Sequence, residues 1–549
     1  MNVLKPILEL IGSLGFLLYG MKLMSDGVQQ SAGEKLQRAL SVLTGNRFIS
    51  LLTGLIVTMI IQSSGATTVM VVTFVNAGLM TLTQSVGVIF GANIGTTITA
   101  WIVSIFGFNF NISSFAIPLF GAGYFLSIIN KGAYKNWAEA IMGFGLLFLG
   151  LSGLSAVFTP EELGWLFKVQ GTGPLALIAG FGIGVMITAL LHSSSAFTAI
   201  VITMAYNGLI SWELAAAMTL GSNIGSTIDA ILAAIGTSAD AKRSAVIHVM
   251  FNVFGTFLAM IFFHPFLRFV ILLTPGHENS NIAIRISMLH TIFKTLSTIL
   301  FLPLQNSLVR LSQKIIKDGS KENPATFRLE FTELLGKDSV TTHIMQAEKA
   351  IADMTDVVSG MFDKIQIGVT KRNPEFIEKY AEESAKAEDY VDQMHEQITH
   401  FLIKCESMPL SDKQINHISS MIQIVDELEN MSDSCYATIM LIVRSIDKKM
   451  KFQQADMERL LPYLELVRQF LQFIRRNINS QLTPEKLELA AELEDGIDAF
   501  RKDLKKVARK RLEAGADVKA ELLYIDLVRR IENIGDNCFS ISESLTGKI

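Results

Sequence analysis

The chain has 549 residues, half of them hydrophobic, and carries a formal net charge of −4. Its mean hydropathy of +0.39 points to a membrane protein with a soluble appendage, and its length exceeds what one core supports, so more than one domain is expected. Charged residues are sparse before about residue 310 and dense after it, so the net charge averages two unlike halves and gives no ground for a nucleic-acid partner.

Apolar segments long enough to enter or cross a bilayer lie at about 5–24, 48–76, 84–106, 113–129, 137–157, 174–206, 211–236, 244–274 and 284–306. Lys5 precedes the first of them. Many spans follow and no small-residue cleavage site is evident, so this segment reads as a membrane helix rather than a signal peptide. Two segments, 48–76 and 174–206, are longer than one span needs and are interrupted by serine-rich motifs. Each is predicted to split there into two half-length elements, whose exposed backbone must line a cavity within the protein.

The interruptions are copies of each other. The first copy runs Gln62-Ser63-Ser64-Gly65-Ala66-Thr67-Thr68 and continues with Gly91-Ala92-Asn93-Ile94-Gly95-Thr96-Thr97. The second runs His192-Ser193-Ser194-Ser195-Ala196-Phe197-Thr198 and continues with Gly221-Ser222-Asn223-Ile224-Gly225-Ser226-Thr227. A turn of the same kind separates the halves, Asn76-Ala77-Gly78-Leu79 in one copy and Asn207-Gly208-Leu209-Ile210 in the other. Ser, Thr and Gly also serve membrane helices as packing residues, but two polar clusters in matching order are better explained by a shared site.

The connecting loops alternate in charge. Lys35, Arg38 and Arg47 lie in one, Lys131 and Lys135 in another, Lys242 and Arg243 in a third, and Arg310, Lys314 and Lys317 follow the last span. The loops at 77–83, 107–112, 207–212 and 275–283 have no Lys or Arg, and 158–173 has only Lys168. The positive-inside rule makes the first group cytoplasmic and the N-terminus external. The two copies then enter from opposite faces, the inverted-repeat plan of many secondary transporters.

Between residues 51 and 106 there is no Asp, Glu, Lys or Arg, and between 174 and 236 the only acids are Glu213 and Asp229, with no basic residue besides His192. An anion bound there would depend on amide N–H groups at broken-helix N-termini and on hydroxyls and side-chain amides. A co-bound cation would have to offset its charge, and hydroxyl and carbonyl oxygens suit sodium. His192 reads equally as a satisfied interior histidine or as a ligand or proton carrier. On a continuous helix Ser226 and Asp229 share a face, so Asp229 is a candidate sodium ligand or proton carrier against the plainer reading of a solvated helix-end residue.

From Val340 onward apolar residues recur at three- and four-residue steps, Ile344, Ile351, Val358 and Ile365 interleaving with Ala347, Met354 and Met361, which predicts an amphipathic helix with a bundle seam. Further helices are expected near 374–402, 411–446, 453–478, 484–513 and 517–545, broken at Pro374, Pro409, Pro484 and Gly515. Six helices read as two three-helix bundles. The three cysteines, Cys405, Cys435 and Cys538, all fall in this half and cannot all pair, which suits a reduced cytoplasmic setting. The chain is therefore expected to be all-α, with domains at 1–310 and 340–549 joined by a linker at 311–339.

The paired serine-rich and Asn-Ile-Gly motifs resemble those of the type II sodium/phosphate cotransporter family, over roughly residues 5–306. The resemblance implies inorganic phosphate as substrate and sodium as coupling ion, bound among Gln62, Ser63, Ser64, Thr67, Thr68, Asn93, Thr96, Thr97, Ser193, Ser194, Ser195, Thr198, Asn223, Ser226 and Thr227, with His192 and Asp229 added from the reading above. Three residues depart from the family pattern: Gly65 removes a hydroxyl, His192 replaces a glutamine with a titratable group, and Asp229 stands where a hydroxyl is usual. The charged half resembles the PhoU family through Glu429-Asn430-Met431-Ser432-Asp433 and Glu532-Asn533-Ile534-Gly535-Asp536, each followed two residues later by a cysteine. Carboxylates at i and i+4 share a helix face, and the resemblance implies a divalent or iron-type metal at Glu429, Asp433, Glu532 and Asp536, against the reading of solvated surface acids. No ATP-binding or metalloprotease motif is present, so an ion-driven carrier rather than an enzyme is expected, in a bacterial inner membrane, with a cytoplasmic regulatory partner and a homodimer left open. Export of phosphate and membrane-anchored phosphate sensing are the alternatives.

Overall fold

The helical periods of the sequence become helices throughout the computed structural model, which describes residues 4–42, 45–109, 113–129, 133–158, 173–277, 280–317, 327–329, 331, 339–408, 410–450 and 458–547. Among the described residues there is no strand. The chain divides into two compact units, Met1–Gly319 and Ser320–Ile549.

The first unit begins with α1 (Leu4–Val42), α2 (Arg47–Ile61), α3 (Ser64–Asn76), α4 (Leu82–Gly95), α5 (Thr97–Ile102), a π-helical turn (Val103–Asn109), α6 (Ser113–Ile129) and α7 (Ala133–Val157). It continues with α8 (Pro174–Leu191), α9 (Ser194–Tyr206), α10 (Trp212–Gly225), α11 (Ile228–Ala233), α12 (Ala239–Ile261), α13 (Phe263–Leu273), α14 (Ile282–Phe301) and α15 (Gln305–Ile315). Among the described residues, 6 helices are long and apolar enough to cross a membrane, and the half-length elements α2, α3 and α9 are shorter apolar helices.

The breaks expected in 48–76 and 174–206 fall at the serine-rich motifs. Gln62 ends α2 in the left-handed region at φ 62°, and Ser63 turns the chain back to extended backbone before α3. His192 at φ 53° and Ser193 repeat this between α8 and α9. Other spans are less continuous than expected. The segment 84–106 is interrupted after Gly95 and 211–236 after Gly225. There Thr96 Oγ1 donates to Ala92 O at 3.0 Å, Ser226 Oγ to Asn223 O at 2.9 Å and Thr227 Oγ1 to Ile224 O at 2.8 Å, so hydroxyls occupy carbonyls next to the interruption in each ladder. The segment 244–274 divides at Phe262 into α12 and α13. In the other direction, α1 runs on to Val42, which puts Lys35 and Arg38 on a helix rather than in a loop. Residues 25–42 hold good helix formers and no proline, and a helix does not have to stop where apolarity does. Lys131 and Lys168 lie outside the described residues.

Helix α2 packs on α4 as α8 packs on α10. A Cβ on Gly91 would overlap the Leu51 carbonyl, and one on the equivalent Gly221 would overlap that of Phe181. The glycine that opens each Asn-Ile-Gly motif therefore permits backbone contact between helices. The polarity of α2 is reversed relative to a helix in water. Thr53 and Thr58 are buried while Phe48, Leu52 and Ile56 are exposed, as lipid on one side and a polar interior on the other require.

The second unit is two three-helix bundles, α16 (Ser339–Thr370), α17 (Pro374–Glu406) and α18 (Asp412–Asp447), then α19 (Leu460–Asn477), α20 (Pro484–Glu513) and α21 (Val518–Ser544). Pro374 and Pro484 stand in first turns, where the missing N–H costs nothing, and Ser411 and Gln414 form a capping box at the start of α18. The predicted seam from Ile344 to Ile365 is buried along α16, and Gly515 breaks the chain at φ 88°. Pro409 and the first residues of the helix expected from 453 lie outside the described residues. All three cysteines are free and buried. Burial pushes the Cys405 thiol up to about 12, so it stays protonated at neutral pH.

Candidate functional site

The two broken helices open on one cavity of about 380 Å³ inside the first unit. Ser63 Oγ accepts from Ala66 N at 3.2 Å and Ser193 Oγ from Ala196 N at 3.1 Å. A helix leaves its first amides without internal partners. Each serine caps one of them, and the remaining first-turn amides stand beside the cavity wall formed by Ser63, Ser64 and Gly65 on one side and Ser193, Ser194 and Ser195 on the other. Gln62, His192, Ser226 and Asp229 add further polar side chains from the repeats to this wall. Two helix N-termini and a set of hydroxyls facing one space can bind a small oxyanion.

The repeat relation holds without insertion or deletion from Gln62 to Thr99 and from His192 to Asp229, and the side chains obey it. Thr99 Oγ1 donates to Gln62 Oε1 at 2.9 Å, and at the equivalent place His192 Nδ1 meets Asp229 Oδ1 at 2.7 Å. One repeat ties its left-handed residue to the helix after the Asn-Ile-Gly motif with an amide and a hydroxyl. The other uses an imidazole and a carboxylate. The third departure from the family pattern belongs to the same place, since a Cβ on Gly65 would lie 2.5 Å from Asp229 Oδ2. Gly65, His192 and Asp229, separate in sequence, form one substitution in space: the carboxylate occupies room that a serine at 65 would fill.

The remaining residues expected at the site lie behind the wall. Thr67 Oγ1 accepts from Thr58 Oγ1 at 2.9 Å and donates to Ser63 O at 3.1 Å, which pins α3 to α2. Thr96, Thr97 and Thr227 are buried, and so are Thr68 and Thr198, whose hydroxyl oxygens have no hydrogen-bond partner among the described residues. Asn93 and Asn223 are buried one turn before the interruptions.

Sequence reasoning missed two groups. Helix α1 contributes Lys22, Ser25, Asp26 and Gln29 to the cavity wall. Their spacing of three and four residues, which sets them on one face of α1, was the available signal. The second is Lys294 of α14, buried with its ammonium donating to Asn93 Oδ1 at 2.6 Å and to Asn252 Oδ1 at 3.2 Å. The repeats do lack Lys and Arg, but the site does not lack cations, because other helices bring them.

In the second unit, Asp433 joins Glu388 and Asp392 of the neighbouring helix, an i, i+4 pair absent from the sequence expectation. One carboxylate oxygen of each lies within 4.8 Å of the others. Partial burial and mutual repulsion raise the carboxyls of Glu388, Asp392 and Glu429 above their ordinary range. Three hard oxygen donors at this spacing fit a divalent cation. The corresponding place in the other bundle differs. Glu532 forms an ion pair with Arg501, Lys505 Nζ lies 3.7 Å from it, and Arg501 also reaches Asp498 at 2.8 Å. Burial raises Asp536 while Arg501 opposes the shift. There the protein's own cations balance the carboxylates.

Comparison with known proteins agrees with this division. The Na+/Pi-cotransporter family model matches residues 16–156 and 172–296, and the PhoU domain matches residues 351–442, which lie in the first bundle. "Uncharacterized protein YqeW" of Bacillus subtilis is 31% identical over 306 residues, 55% of this chain and 95% of that protein. "Putative inorganic phosphate export protein YjbB" of Escherichia coli K12 is 24% identical over 433 residues, 78% of this chain and 76% of that protein. The human "Sodium-dependent phosphate transport protein 2C" is 44% identical over 103 residues, 18% of this chain and 16% of that protein.

Proposed function

The chain belongs to the family of Na+/Pi-cotransporters, and from that membership we propose that it couples phosphate movement across the bacterial inner membrane to sodium, with the PhoU-like unit at 340–549 regulating the transport domain at 1–310 through the linker at 311–339. The observation that carries the reading is the single cavity lined by two serine-capped, left-handed helix breaks. Phosphate sits between the two N-termini, held by Ser63, Ser64, Ser193, Ser194 and the adjacent amides, with Gln62, Ser195 and Ser226 completing its shell. Lys22 offsets part of its charge, and sodium offsets more, among the hydroxyl and amide oxygens of Thr67, Thr68, Thr96, Thr97, Thr198, Asn223 and Thr227. Asp229, paired with His192, is a cation ligand or proton carrier. The basic flanks support an external N-terminus and a cytoplasmic PhoU-like unit, in which Glu388, Asp392, Glu429 and Asp433 take a divalent cation.

The family name and the human relative's name supply the sodium reading. The name of the Escherichia coli relative, which is similar over both units, favours a second reading, phosphate export by the same machinery. Radiolabelled phosphate flux in proteoliposomes, with sodium, potassium or proton gradients imposed one at a time, tests both. Uptake driven by a sodium gradient alone is the expected result. Equal flux in verified sodium-free potassium medium refutes the coupling, flux driven only from the cytoplasmic face makes the protein an exporter, and binding without turnover makes it a sensor.

A further inference from the structure

Lys294 is a costly residue to keep. It is 3% exposed in a membrane-embedded helix bundle, and among the described residues no carboxylate pairs with it. An unpaired ammonium in such a place is rare unless it has work to do. Its helix is held in register by Ser287 Oγ donating to Ala100 O at 2.9 Å and Trp101 Nε1 donating to Thr291 Oγ1 at 2.9 Å. The titratable groups facing it are two buried imidazoles, His248 of α12 and His290 one turn earlier on α14.

The oxygens that receive it are preset. Asn93 Nδ2 donates to Ile89 O at 3.0 Å and Asn252 Nδ2 to His248 O at 2.9 Å, so each amide spends its N–H on its own helix and turns its carbonyl oxygen toward the ammonium. Two neutral carbonyl oxygens converging on one positive charge are what a buried alkali-cation site offers. Asn223, the repeat equivalent of Asn93, is oriented in the same way, its Nδ2 donating to Thr219 O at 3.1 Å and Leu220 O at 3.3 Å. Its Oδ1 is fully buried and has no hydrogen-bond partner among the described residues. Buried amide oxygens are nearly always satisfied. The two motifs therefore offer the same oxygen, and only one meets a cation belonging to the protein.

We propose that the two Asn-Ile-Gly motifs are an unequal pair of cation sites: Lys294 is the resident cation of the Asn93 half, and the Asn223 half takes a free sodium ion. Lys294 thereby replaces one coupling sodium and sets the number of ions carried per phosphate. This rests on the sodium reading above and specifies which repeat uses the ion.

The test uses the purified full-length protein, with thermal stability followed as sodium replaces potassium at constant ionic strength. The unmutated protein and Asn93→Ala should both be stabilised by sodium, whereas Asn223→Ala should need about tenfold more sodium or lose the shift. In proteoliposomes Lys294→Gln should require more sodium, with the Hill coefficient of sodium activation raised by about one. Loss of the sodium shift in Asn93→Ala, its retention in Asn223→Ala, or an unchanged sodium curve in Lys294→Gln would each overturn the proposal. If Lys294→Gln does not fold, the two asparagine variants still decide. Absence of a sodium shift in the unmutated protein would overturn the sodium reading itself, and this proposal with it, so the two failures are told apart.

Discussion

Restoring the family's serine at position 65 should break the site, and a second substitution should repair it. A Cβ on Gly65 would stand 2.5 Å from Asp229 Oδ2 and 3.4 Å from Asp229 Cγ, too close for the carboxylate to remain. Gly65→Ser then forces Asp229 away from His192, to which it is bonded at 2.7 Å. A hydrogen bond to a charged group contributes about 1.5–3 kcal/mol. Because the His192 side chain is 51% exposed, solvent screening brings this down to about 1 kcal/mol. That corresponds to a loss of roughly fivefold in the affinity that depends on this pair. Asp229→Thr removes the obstruction and recreates the residue combination at the symmetry-related positions, Ser195 of the second repeat and Thr99 of the first. The assay is a double-mutant cycle on phosphate flux into proteoliposomes as a function of sodium. Each single variant should lose affinity, and the double variant should recover most of it, giving a coupling of about 1 kcal/mol or more. Effects that add within about 0.5 kcal/mol, or Gly65→Ser with unmutated kinetics, would show that the three departures do not act together.

Two further outcomes follow from the same geometry. Ser64→Ala and Ser194→Ala should each abolish or strongly reduce phosphate transport in protein that still purifies folded, with a cost of about 1–3 kcal/mol per lost interaction; unchanged kinetics in either would make that serine a packing residue. In the second unit, the native state holds protons on Glu388, Asp392 and Glu429 that the unfolded chain has already released, because their folded pKa values are raised. With chelator present, stability should therefore fall as pH rises from the ordinary carboxylate range through the raised one, and the penalty should persist above it. A divalent cation should restore stability above that window, by about 2.7 kcal/mol at one hundred times its Kd, and do little below it. Thermal melts of the full chain and its Asp433→Asn variant, each with manganese or chelator across pH, would check this; a metal shift that is the same in the variant would remove Asp433 from the site.

Much of the architecture was written locally. Helix existence in both units, the break at each serine-rich motif and the bundle seam from Ile344 to Ile365 all follow from hydrophobic period, capping serines and the placement of glycine and proline, which act within a turn or two of chain. The errors were local as well. Apolarity marks where a helix meets lipid and not where it ends, so α1 outruns its expected span, and the hydroxyls at the interruptions at 95–97 and 225–228 bond carbonyls of their own helices.

What the sequence alone determined is the repeat itself: two sets of donors in the same order, entered from opposite faces, with the Gln62–Thr99 and His192–Asp229 positions in fixed register. What only the tertiary structure decided is which charges meet those donors. Lys294 reaches Asn93 across 201 positions of sequence, Asp229 fills the space left by Gly65, and α1 lays Lys22 and Asp26 along the cavity. No local propensity specifies such meetings. They depend on helices packed at single-residue register, where a buried charge must find its partner because lipid and protein interior offer it no water.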